Sequence, residues 1–248
     1  MGLFDKKFCS VCGNKVGTLF HRKLEDGYLC KDCTSKLSPF FSERRSSTAE
    51  EIREQLEYRE ENREAVAAFH ITRTLGKDMK VHLDEDNRKF MVTRARDIQE
   101  ANPDVLDYSQ VAGVDVDVTD SQSESRYRDK EGKMVSYIPA KYIFSESIKL
   151  VLHVNHRFFD TITVPIDTSI TLNPGNPLPA ALKPQPKSNR EFMECFSMAN
   201  EIKRTLLSAR QQGRKEEAPK KAVVCPHCTA TTIPDANGCC EYCGGAIG

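Results

Sequence analysis

The sequence contains no run of about 18 apolar residues, so no transmembrane helix is expected. It has no net charge either: 36 Lys and Arg stand against 36 Asp and Glu in 248 residues. No global field draws it towards nucleic acid or a membrane. G-x-S-x-G, P-loop and H-E-x-x-H patterns are all missing, which removes the common sequence routes to hydrolase, nucleotide-binding and metalloprotease chemistry. Residues 1–8 are too short and too charged for a signal peptide. Lys6 stands where myristoylation after Gly2 would need Ser or Thr. The expectation is a cytoplasmic protein that is not an enzyme, whose cysteines are reduced and available as metal ligands.

What the sequence does have is two cysteine quartets, one near each end: Cys9, Cys12, Cys30 and Cys33, then Cys225, Cys228, Cys240 and Cys243. Two residues between paired cysteines let both sulfurs of one tight turn face a single point. Two such turns supply four thiolates, the donor set of a closed tetrahedral zinc site. Four thiolates favour zinc or iron among the metals, and two structural zinc ions are the expectation. In the first quartet 17 residues separate the pairs, a normal spacing for such a site. Residues 19–24 read as a short strand, Glu25-Asp26-Gly27 as a turn, and residues 34–37 as a short helix ending before Pro39. His21 is a rival ligand, although a loop histidine is more often solvated. A knuckle this small folds with its metal rather than before it.

The runs Cys-Ser-Val-Cys-Gly-Asn-Lys-Val-Gly (9–17) and Arg-Lys-Leu-Glu-Asp-Gly-Tyr-Leu-Cys-Lys-Asp-Cys (22–33) resemble an N-terminal zinc-binding family of bacterial proteins. That family is a domain of unknown function. The resemblance covers about the first forty residues and all four ligands. It implies a zinc knuckle and no activity.

Next comes an acidic stretch with seven glutamates against three arginines over residues 46–68. Thr48 and Glu51 form a capping-box pattern, and a helix is predicted from about Ala49 to Ala68. Ile52, Leu56 and Val66 lie near one face, but Arg59 and Arg63 interrupt the stripe. The expectation is a solvated spacer helix, with a partner-binding or dimer helix as the rival.

From Phe69 the hydrophobic period changes to two. Strands are predicted at 69–75, 79–83, 89–93, 108–118 with a bulge near Gly113, 147–155 and 159–166. Residues 119–133 are polar and predict a long mobile loop. A proline-rich segment, 174–186, leads to an amphipathic helix at 189–212 with Phe192, Phe196, Ala199, Ile202 and Leu206 on one face. In strand number, strand order and closing helix this region is similar to a bacterial pleckstrin-homology-like (PH-like) domain. The resemblance implies a small barrel or bent sheet that binds peptides or lipid headgroups. A two-sheet sandwich with a packed helix is the alternative. Lys77 and Lys80, with Arg73, Arg94 and Arg96, are the cations available for a phosphate. The pairs His153/His156 and Asp115/Asp117, with His70 and His82, read as surface or packed side chains. Cys195 reads as a small buried hydrophobe.

The C-terminal quartet has 11 residues between its pairs, a minimal ribbon in which Cys239 rivals Cys240 and His227 is a remote rival to Cys228. It is similar to the small zinc ribbons that close many bacterial multi-domain proteins. No Lys or Arg occurs after Lys221, and Tyr242 is the one aromatic, a poor match to a nucleic-acid surface.

The chain therefore reads as α+β with five parts: a zinc knuckle (1–45), a connector helix (46–68), a PH-like β domain with closing helix (69–212), a tether (213–222) and a zinc ribbon (223–248). The expected function is an adaptor that binds a protein or peptide, or touches an anionic membrane surface. The alternative is a nucleic-acid-binding regulator using Lys15, Arg22, Lys23 and Lys31 of the first knuckle. The modular reading carries a mutational expectation: Cys12→Ser should unfold the knuckle alone.

Overall fold

A computed structural model describes residues 7–17, 22–41, 46–217, 223–233 and 239–246. His21 and part of the first predicted strand lie outside these residues, as do parts of the linker, tether and ribbon hairpin. The chain forms two compact units, Met1–Arg210 and Gln211–Gly248.

The first unit opens with the knuckle. Strands β1 (Arg22–Lys23) and β2 (Tyr28–Leu29) pair antiparallel, and α1 (Lys31–Lys36) follows. Cys30 caps α1 through its sulfur, which accepts from the Cys33 amide. Val16, Leu24, Leu29, Leu37 and Phe41 make a small core that also takes in Ala49 and Ile52 of α2 (Ala49–Ala67). Thr48 and Glu51 form the predicted capping box at the start of α2. The Ala49 amide also donates to Asp26 Oδ1 at 2.8 Å, so the knuckle's own turn holds the helix entry.

Helix α2 is not a solvated spacer. It buries Ile52, Gln55, Arg59, Asn62 and Val66, which recur at the three- and four-residue steps of one helical face. Three of these, Gln55, Arg59 and Asn62, are polar and hide the stripe from a hydrophobicity count. Arg59 lies 2.8 Å from the fully buried carboxylate of Asp104, and also donates to the carbonyls of Lys36 and Asn102. Asn62 donates to Asn102 Oδ1 and the Pro103 carbonyl, and accepts from the Val105 amide. Ser38 and Tyr58 complete the set on Asp104, at 2.7 and 3.1 Å. The clamp joins the end of the knuckle, α2 and the loop before β6.

The middle of the chain forms two antiparallel sheets. The first is a meander of β3 (Arg73–Leu75), β4 (Lys80–Asp84), β5 (Lys89–Thr93) and β6 (Val105–Asp107), with one helical turn, α3 (Ile98–Ala101), before β6. The second contains β7 (Val111–Arg128), β8 (Met134–Val154) and β9 (Thr161–Thr171), in that order. The register shifts between Val111 and Gly113, at the predicted bulge. Helix α4 (Arg190–Glu217) supplies Phe192, Cys195, Ala199, Ile202 and Leu206 to one core shared with both sheets. The strands do not close into a barrel: β6 and β7 end their respective sheets without pairing to each other. The PH-like barrel is corrected accordingly to two sheets and a helix.

The predicted loop at 119–133 is corrected as well. β7 and β8 run on as a two-stranded arm past Ser145, the last residue of β8 whose partner, Thr171, lies on β9. Backbone pairing with β8 replaces hydrophobic burial as the ordering force. Asp129 builds the hairpin tip by accepting from the amides of Glu131 and Lys133, both at 2.9 Å. The part of the tether up to Glu217 is helical, because α4 continues through it.

In the second unit, β10 (Val223–Val224) and β11 (Thr231–Thr232) pair antiparallel on either side of the first cysteine turn.

Candidate metal centres

The fold brings each cysteine quartet to one point. In Cys9, Cys12, Cys30 and Cys33, and again in Cys225, Cys228, Cys240 and Cys243, the sulfurs lie within 4.8 Å of one another. Neighbouring sulfurs stand 3.7 Å apart in the pairs Cys12–Cys30, Cys225–Cys243 and Cys228–Cys240. A tetrahedron with metal–sulfur bonds of about 2.3 Å has edges of about 3.8 Å. Each quartet thus has the size of a four-thiolate cage and can hold a metal ion.

Local backbone prepares the sulfurs for charge. The Cys30 amide donates to Cys9 Sγ and the His227 amide to Cys225 Sγ, both at 3.4 Å. Burial pushes the Cys9 thiol up, but the amides of Cys12, Cys30 and Val11 outweigh it and bring the thiol down to about 6. Cys225 is brought to about 6 in the same way, by the amides of Cys228 and His227 against its burial. One cysteine of each quartet is therefore a ready thiolate near neutral pH. Burial pushes Cys33 the other way, well above the ordinary thiol range, so a metal ion must displace its proton.

The rival ligands of the C-terminal quartet are not in its cage. Cys239 forms an isolated β-bridge with Ala246, while the buried Cys240 carries the fourth sulfur. His227 Nε2 sits 3.2 Å from the Ala246 carbonyl, which engages its ring with backbone.

The other candidates are engaged separately. His153 faces Asp115 at 3.2 Å, whereas His156 stacks on Phe159 with ring centroids 4.1 Å apart. Asp117 pairs with Lys149 and His70 with Asp86, and His82 lies 2.8 Å from Thr74 Oγ1. Arg73 is ion-paired to Glu201, and Lys77 Nζ lies 3.6 Å from the buried Cys195 sulfur. Both cations face α4.

A cavity of about 420 Å³ lies between α2 and the β8–β9 turn, lined by Phe41, Glu51, Glu54, His156 and Asp160 among others. Its acidic groups are partly spent: Glu51 closes the capping box and Glu54 is paired to Arg157. Burial holds the His156 imidazole below its ordinary range, with a smaller opposing pull from Asp104. These residues come from segments more than one hundred positions apart, and no local pattern announces their meeting.

A family model described as a domain of unknown function (DUF4428) matches residues 7–55. The match contains the whole first quartet and the first residues of α2. No curated protein and no solved structure matches the chain.

Proposed function

We propose that the protein is a non-enzymatic adaptor held together by two structural zinc ions and engaging a protein partner. The observation that carries this reading is the completeness of both cages: four cysteines each, with the rival ligands Cys239 and His227 bonded elsewhere. A catalytic zinc keeps one position for water or substrate, while a four-cysteine site fills all four with protein. The surface of the C-terminal unit supports a protein partner. It exposes Val224, Ile233 and Tyr242, and residues 223–248 contain no Lys or Arg to meet phosphates.

Metal analysis of protein purified without added metal, with thiol labelling alongside, tests the zinc core. Two zinc ions per chain and eight protected cysteines are the expected result. Iron, a single ion, or a cage with three protected thiols would reopen enzyme chemistry. Binding to DNA or RNA that falls steeply with salt would replace the adaptor by the nucleic-acid regulator.

A second reading, contact with an anionic membrane surface, rests on the arm. Near its tip Tyr127, Met134 and Ile138 are exposed beside Arg126, Arg128, Lys130, Lys133 and Lys141. Tyrosine, an aliphatic wedge and cations suit the headgroup region of a bilayer. Co-sedimentation with vesicles containing phosphatidylserine, abolished by Ile138→Asp, is the expected result on that reading.

A further inference from the structure

The two edges of the arm differ in a way that points to a use. Past the end of β9, β8 is poorly suited to further pairing. The register jumps between Ser125–Lys141 and Arg126–Ser136, so residues 137–140 bulge out of the ladder. That bulge contains Pro139, which has no amide to donate. Nearer the body, Tyr142 already bridges to Leu178. Strand β7 forms the other edge and lacks such protection. From Gly113 to Arg128 it is continuous, with no bulge of its own and no proline. Close to the body its edge is guarded by α4: Arg210 donates to the Ala112 carbonyl at 2.6 Å, and Lys203 lies 3.9 Å from Asp115. Beyond Thr119 no strand pairs with this edge among the described residues. Proteins normally block long free edges with bulges, prolines or lysines because such edges recruit other strands. Here β8 is blocked and β7 is left open.

The open segment is also complementary to itself. Residues 118–128 read Val-Thr-Asp-Ser-Gln-Ser-Glu-Ser-Arg-Tyr-Arg. In an antiparallel pair, facing residues both point their amides towards the partner strand or both away. Two copies of one strand can therefore pair only in registers centred on a residue. Centring on Gln122 sets Asp120 against Glu124, and centring on Glu124 sets that carboxylate against itself; both are repulsive. Centring on Ser123 sets Asp120 against Arg126, Gln122 against Glu124, Ser121 against Ser125, and Thr119 against Tyr127. Every charged facing pair in that set is attractive or neutral. Centring on Ser125 also avoids repulsion, but leaves only residues 122–128 to pair.

We propose that β7 is a self-association edge: two copies of the chain pair antiparallel along residues 118–128, with Ser123 facing its counterpart on the two-fold axis. The occupant of the edge is a second copy, selected by the charge pattern of the strand itself. The joined arms form one four-stranded sheet, with on the order of ten new backbone hydrogen bonds and two Asp120–Arg126 pairs related by symmetry. Strand alternation places Asp120 and Arg126 on one face, where Asp120 accepts from Lys183 at 2.9 Å and Arg126 lies 3.7 Å from Glu124. The proposal concerns copies of this chain and is independent of the adaptor's partner.

Sedimentation equilibrium and cysteine cross-linking of the full-length, metal-loaded chain test it. The expected results are a concentration-dependent dimer and an intermolecular disulfide in Ser123→Cys under mild oxidation. Directly opposed residues stand about 4.5–5.5 Å apart at Cα, inside the disulfide range. Ser125→Cys should not cross-link above the wild-type background, because its facing residue is Ser121. Arg126→Asp, an exposed change on the arm that leaves the core untouched, should weaken the dimer roughly tenfold or more by turning two attractive pairs repulsive. Asp120→Arg combined with Arg126→Asp should recover it. A monomer at all concentrations, a dimer indifferent to Arg126→Asp, or cross-linking through position 125 in preference to 123 would each overturn the proposal.

Discussion

Cys12, Cys228 and Cys243 are each followed by a residue in the left-handed region, at φ +72°, +58° and +68°. Two of these residues are Gly13 and Gly244, which adopt that conformation freely. The third is Thr229, whose β-branched side chain makes it a costly occupant. Thr229→Gly relieves about 1–2 kcal/mol of strain against an entropic cost of about 0.5–1 kcal/mol for glycine, and should therefore modestly stabilise the metal-loaded C-terminal unit, read as slower metal loss to a chelator. Faster loss would show that Thr229 is held by contacts that outweigh its strain. Gln55 is a second isolated cost. It is fully buried in α2, and neither end of its amide finds a hydrogen-bond partner among the described residues. Burying an unpaired amide costs about 1–3 kcal/mol. Gln55→Met keeps the volume and removes the polar atoms, so the first unit should unfold at higher denaturant by roughly that amount. A lower midpoint would mean that the amide has an ordered water partner.

The connector helix shows how an element can be concealed by its own polar residues. Arg59 and Arg63 break the apolar stripe in sequence, yet Arg59 is the centre of the buried clamp on Asp104, while Arg63 pairs with Glu60 on the surface. Arg59→Met should destabilise the first unit by about 3–5 kcal/mol, because it leaves a buried carboxylate without its cation. Chemical denaturation would measure this, and a loss under about 1 kcal/mol would mean that Ser38 and Tyr58 suffice for Asp104. The arm is the converse case. Its β7 half, residues 119–128, has no apolar alternation. Pairing with a distant strand, a non-local event, orders it.

Across the whole molecule, the clamp changes what metal loss should do. Ser38, Lys36 and α2 tie the knuckle to Asp104 and Asn102, so the first cage and the two sheets share one unit. Cys12→Ser is expected to lower the stability of the entire first unit, in contrast to the local unfolding that sequence spacing suggested. Cys228→Ser is expected to spare it. Hydrogen exchange on both variants would separate these outcomes, and protection lost only in residues 7–41 of Cys12→Ser would restore the modular view. Sequence alone determined the paired-cysteine turns of both quartets, the α2 cap and the apolar face of α4, because each is a short-range pattern of spacing or period, while the fold put Cys240 rather than Cys239 in the second cage. Tertiary structure alone decided that Arg59 is buried, that residues 119–128 are a strand and that the sheets stay open. Each of these depends on a partner distant in sequence, Asp104 for the arginine and β8 for the strand, and the energy of such a contact is written in neither residue by itself.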